Sequence, residues 1–152
     1  MTPEQIELVR SSYASIDNPS AMASDFYRRL FAIDPSARSL FSQDPAVLAE
    51  KFAAELSAIV QAIVTFDAFA ARLRQLAVRH HAAGVRSGHY RSVGEVLMQA
   101  LTEQLGSGWT PATEGAWRRA YNLVAEIMIA ASADLETASP RPLGAKEDAE
   151  ES

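Results

Sequence analysis

The chain has 152 residues, 48% hydrophobic and 22% charged, enough to bury one sizeable core under a soluble surface. A net charge of −5 offers no broad basic face for phosphates, so nucleic acid is not an expected partner; no run of about 18 apolar residues suggests a membrane span. Cysteine is absent, which removes disulfides, thiolate metal sites and cysteine nucleophiles and fits a reducing cytoplasm; the N-terminus lacks the basic-then-apolar pattern of a secretory leader.

Helix signals dominate in chain order. Thr2-Pro3-Glu4-Gln5 sets a capping hydroxyl, a first-turn proline and a glutamine three residues after the cap, and Ile6, Val9 and Tyr13 follow at helical spacing. Asn18-Pro19-Ser20 breaks the chain before a helix expected from about Ala21 to Ala32, with Phe26 and Leu30 inward. Asp34-Pro35-Ser36 predicts a stop and a new helical turn leading to Leu40-Phe41. Asp44-Pro45 opens a helix whose apolar stripe is Leu48, Phe52, Leu56, Ile59, Val60 and Ile63. After a corner at Phe66-Asp67, the residues Phe69, Leu73, Leu76 and Ala77 lead to His80-His81, with Gly84 and Gly88 ending the element. A helix is expected from Tyr90 to about Leu105, ended by Gly106-Ser107-Gly108. The last runs from Thr110-Pro111 through Trp117, Tyr121, Val124 and Met128 to about Leu135. No alternating strand pattern stands out, so the fold class is all-α, with the domain at residues 1–136 and a disordered acidic tail at 137–152.

The three histidines, His80, His81 and His89, fall within ten residues. Their plain reading is surface or half-buried side chains near a helix end, where the dipole favours a cation. A zinc site is disfavoured, because adjacent helical residues point about 100° apart and no carboxylate completes a ligand set. His80 differs in its setting: it follows Leu76 by four residues on an apolar helical face, where an imidazole can present one nitrogen to a metal in an apolar slot.

The segment His80-His81-Ala82-Ala83-Gly84-Val85, followed by Tyr90 and Val93-Gly94-Glu95, resembles the proximal-histidine region of globins, closest to neuroglobin and the bacterial single-domain and flavohaemoglobin branch. Phe26-Tyr27-Arg28-Arg29-Leu30-Phe31 resembles that branch's second helix, Leu40-Phe41 its haem-packing corner, and Ala116-Trp117 with Tyr121 the start of its final helix. The resemblance covers about residues 1 to 134 and implies a globin fold of about seven helices around haem b. It implies His80 as the iron ligand, Phe41 as the ring packed against haem and Tyr27 as a distal donor to bound dioxygen. Counting back from His80 implies Leu48 at the distal gate, Phe52 facing the haem one turn later and Lys51 at the rim, within reach of a propionate. Leu76, Val85, Tyr90 and Val93 fall on the proximal side.

The chain departs from the pattern in three ways. Relatives often carry histidine or glutamine where Leu48 stands, and leucine can neither ligate iron nor donate a hydrogen bond. No histidine precedes residue 80, which disfavours bis-histidine coordination. Tyr90 matches a tyrosine that orients the proximal imidazole, but its partner glutamate appears as Ser132, which weakens the electron push that favours O–O chemistry. His81 and Glu126 are nearby polar groups expected to face solvent. Lastly, no flavin or nicotinamide module follows. The resemblance thus implies a binder of dioxygen, nitric oxide or carbon monoxide, for transport or sensing. The alternatives are a nitric oxide dioxygenase served by a separate reductase and a haem-free helical interaction module.

Overall fold

The computed structural model describes residues 1–138 and places six α-helices among them: α1 (Pro3–Ala14), α2 (Pro19–Ile33), α3 (Pro45–Ala62), α4 (Phe66–Ala83), α5 (His89–Leu105) and α6 (Pro111–Ala138). Two short 3-10 segments, Pro35–Leu40 and Gly106–Gly108, turn the chain after α2 and α5, and no strand is present among the described residues.

Four of the six helices start with a capping side chain followed by proline. Thr2 Oγ1 accepts from the Gln5 amide at 3.1 Å while Gln5 Oε1 accepts from the Thr2 amide at 3.0 Å. Asn18, Asp44 and Thr110 accept from Ala21, Ala46 and Thr113, each at 3.1 Å. Each bond satisfies an amide that helix geometry leaves without a partner, and the proline at the next position has no amide to satisfy. Asn18 therefore starts α2 at Pro19, two residues before the sequence expectation. At its far end α4 stops on Gly84, whose φ of +103° is a left-handed conformation open to glycine.

α2 packs on α3 and α5, α4 packs on α6, and α1 braces α6. Ala23, Ala49 and Ala53, all buried, let α2 and α3 approach closely. Two hydrogen bonds tie α1 into this frame: Trp117 Nε1 donates to Ser12 Oγ at 2.9 Å, and Tyr13 Oη donates to the Ala53 carbonyl at 3.2 Å. Met22, Leu73, Leu101, Val9 and Val96 form the driest part of the core.

α6 runs three residues past the expected end at Leu135. No glycine or proline follows Leu135 until Pro140, so nothing local stops the helix there. Thr137 and Ala138, the first residues of the expected tail, are helical, and residues 139–152 lie outside the described residues.

Candidate functional site

The face of α2 turned toward α3 carries an aromatic cluster that extends to the corner after the first 3-10 segment. The Phe26 and Phe52 rings stack at 4.4 Å. Tyr27 stands edge-on to Phe41 at 5.3 Å and to Phe52 at 5.7 Å, and stacks on Phe31 at 5.8 Å. Arg38 lies 5.2 Å over Phe31. Helical spacing places residues 26, 27, 30 and 31 on adjoining stripes, and ring-to-ring packing then fixes the Tyr27 side chain. Burial pushes its phenol up to about 12, because the anion would lose its hydration. Tyr13 and Tyr121 donate their hydroxyls to backbone carbonyls, whereas Tyr27 Oη has no protein partner among the described residues. Leu48 is buried, Phe52 is half-buried and Lys51 is exposed on α3.

α4 carries Leu76 and His80 four residues apart on one face. The His80 imidazole is half-buried, one turn beyond buried Leu76. In the neutral imidazole one ring nitrogen carries the proton and the other keeps its lone pair. Burial holds this imidazole below the ordinary histidine range, reinforced by the Arg79 charge and opposed by the Leu76 backbone and the Glu55 charge. A half-buried histidine kept neutral has a lone pair with which to ligate a metal. Val85 and Val93, both half-buried, pack against the core beyond the α4–α5 corner, where the Val85 amide donates to the His80 carbonyl at 2.9 Å.

The other two histidines are used differently. His89 Nδ1 accepts from the Arg86 amide at 2.9 Å and shapes the start of α5. His81 was expected to face solvent, yet its Nδ1 is buried without a partner. The chain folds back over the end of α4, with Arg86 donating to the His81 carbonyl at 3.1 Å, and this return covers a face that an isolated helix would leave open. Glu126 is exposed, as expected.

Tyr90 is buried at the start of α5, and its hydroxyl has no partner among the described residues, so Ser132 does not bond it. Its carbonyl accepts from Tyr121 Oη at 2.6 Å. The Tyr121 ring lies so close to Gly94 that a Cβ there would meet it at 2.7 Å. A separate concavity of about 690 Å³ between α5 and α6 shares only Tyr90 with the residues expected to line a haem site, and the exposed Arg118–Glu95 pair joins two of its lining residues at 3.3 Å.

The family model described as Globin matches residues 24–128, which span the aromatic cluster, His80 and most of α6. The chain belongs to the globin family. It is 26% identical to a flavohemoprotein of Bacillus subtilis over 147 residues, 93% of this chain and 37% of the relative, so it spans little more than a third of that protein's length. It is 30% identical to an anaerobic nitrite reductase of Oryza sativa subsp. indica over 128 residues, 80% of this chain and 88% of the relative. Among solved structures, an engineered carbene transferase from Rhodothermus marinus superimposes with a TM-score of 0.81 at 32% identity, covering 91% of this globin and 97% of that chain. A bacterial globin from Campylobacter jejuni gives 0.79 at 23% identity, covering 90% and 99% respectively, which shows the shared fold.

Globins hold haem, and the residues present fit one: a neutral imidazole with a free nitrogen, an unpartnered hydroxyl and half-buried aromatic rings are what a flat apolar disc with an axial metal requires. Sequence reasoning missed Glu55, which bridges α3 to α4 and whose charge reaches His80. A lone glutamate on a helix gives no sign of which arginines another helix will bring to it.

Proposed function

We propose that this globin holds one haem b between the α2–α3 wall and the α4–α5 wall, with His80 as the protein ligand to iron, and reversibly binds dioxygen, nitric oxide or carbon monoxide. The observation that carries the reading is the His80 imidazole, which shares one face of α4 with buried Leu76 and is held below the ordinary histidine range chiefly by burial. Non-covalent haem is favoured because the sequence has no cysteine for thioether links. When bound, the haem supplies an iron centre that takes a diatomic gas. Tyr27 donates a hydrogen bond to the ligand's outer atom from a position fixed by four aromatic neighbours, Phe26, Phe31, Phe41 and Phe52. Leu48 and Phe52 keep the distal side apolar. Leu76, Val85, Tyr90 and Val93 enclose the proximal side, and exposed Lys51 meets a propionate at the rim. No helix among the described residues is long and apolar enough to cross a membrane, and a cysteine-free chain suits a reducing cytoplasm.

A nitric oxide dioxygenase working with a separate reductase is the second reading. It is favoured by the similar Rhodothermus marinus structure, whose description includes nitric oxide dioxygenase. Against it stands the Tyr90 hydroxyl, which has no carboxylate partner to pass electron density toward the imidazole. The haem-free module is the least favoured, because it leaves the free hydroxyl of Tyr27 and the free nitrogen of His80 without a purpose.

Optical spectra of protein supplied with haem, ferric and then ferrous with and without carbon monoxide, test the reading. A Soret band that shifts with carbon monoxide supports it. A folded helical protein that gives no Soret band overturns it. Sustained nitrate production with a generic reductase would move the second reading ahead.

A further inference from the structure

We infer that Glu55 is a positioning residue for the proposed haem site: its carboxylate clasps Arg72 and Arg79 and thereby fixes α3, which carries Leu48 and Phe52, against α4, which carries His80. This inference rests on the haem reading.

Glu55 Oε2 meets Arg72 Nη1 at 3.0 Å and Oε1 meets Arg79 Nη2 at 3.5 Å. The two arginines are seven residues apart, close to two helical turns, so they lie on one face of α4. With each oxygen serving a different turn, the clasp resists both sliding and rotation of α4 against α3. Glu55 follows Phe52 by three residues, and Arg79 immediately precedes His80, so the restraint acts one turn or less from both groups. The Glu55 side chain is 24% exposed, against 42% for Arg72 and 60% for Arg79, so the carboxylate is the sheltered centre of the cluster. No other ion pair joins α3 to α4 among the described residues. A shared, half-sheltered carboxylate with two partners holds geometry better than an isolated surface pair.

The Arg118–Glu95 pair between α5 and α6 is an internal control. It also spans two helices, but its side chains are 45% and 59% exposed, and it lies on neither α3 nor α4. The test uses holoprotein of the wild type, Glu55→Gln and Glu95→Gln, and measures haem transfer to an excess of an apo-globin acceptor together with the ferric–ferrous midpoint potential. Glu55→Gln should lose haem about three- to tenfold faster, with the gap narrowing in concentrated salt, while Glu95→Gln matches the wild type. The midpoint should rise in Glu55→Gln, because a negative charge that favoured the ferric state is gone; a purely mechanical strut would not move it in a set direction. Should Glu55→Gln fold poorly, Glu55→Arg paired with Arg72→Glu should retain haem better than Glu55→Arg alone. Equal loss rates and midpoints in Glu55→Gln and wild type overturn the clasp and leave the haem reading intact. A wild type without a Soret band overturns both.

Discussion

The α2–α3 wall positions its tyrosine with rings, and the α5–α6 pair positions its own with backbone. Tyr27 is held by Phe31, Phe41 and Phe52 at 5.3 to 5.8 Å, with its hydroxyl left free of protein partners. Tyr90 is held through its carbonyl, which accepts from Tyr121, and its hydroxyl is buried without a partner. Aromatic packing fixes a side chain without using its polar atom, so that atom stays available to a ligand. Ser132, which the resemblance sets where relatives carry a glutamate, does not partner the buried Tyr90 phenol. Under the proposed function, ligand control falls to the α2–α3 wall, and the α4–α5 wall has the simpler task of holding a neutral imidazole.

The strongest challenge to this division is His80→Ala. Loss of stable haem is expected there, while His81→Ala keeps it; the reverse pattern in a haem-retention assay would move the proposed ligand by one position. Next in size is Tyr27→Phe. A hydrogen bond to a charged acceptor is worth about 1.5–3 kcal/mol, so dioxygen should dissociate about tenfold faster or more in stopped flow. An unchanged off-rate would remove Tyr27 from ligand control. Stability of the opposite wall is tested by Gly94→Ala. The added Cβ would lie 2.7 Å from the Tyr121 ring, which is anchored by its own hydrogen bond. Overpacking of this kind costs about 1–3 kcal/mol, a melting temperature lower by about 2–10 °C. Tyr121→Phe should cost about 1 kcal/mol and leave the dioxygen off-rate unchanged. A slower or faster off-rate in Tyr121→Phe would show that the two walls are coupled.

The parts of this molecule that were legible in the sequence are those set by local chemistry. Thr2, Asn18, Asp44 and Thr110, each before a proline, mark the helix starts, and apolar spacing of three and four separates inward from outward faces. The resemblance around His80 then gave the family, which the Globin match bears out. What stayed hidden depends on which helix meets which. The burial of His81 Nδ1 requires knowing that the chain returns over the end of α4. The approach of Tyr121 to Gly94 depends on how α6 crosses α5, and the Glu55 clasp on how α3 meets α4. The late end of α6 reflects a run without glycine or proline, where expectation leaned on composition.

The smallest expected effect is an absence of change, and it tests whether the Tyr27 ring is as enclosed as its neighbours imply. An ordinary tyrosine, with a value of 10.0, is half-ionised at pH 10, and a phenolate can accept but not donate a hydrogen bond. Burial among Phe26, Phe31, Phe41 and Phe52 penalises the anion and pushes Tyr27 up to about 12, so the proton is kept as the pH rises from 7 to 10. Bound haem would remove more water from the same ring and shift it in the same direction. The dioxygen off-rate should therefore stay flat across that range in the wild type. Acceleration centred near pH 10, absent from Tyr27→Phe, would mean that water reaches the phenol and that the aromatic wall opens in solution.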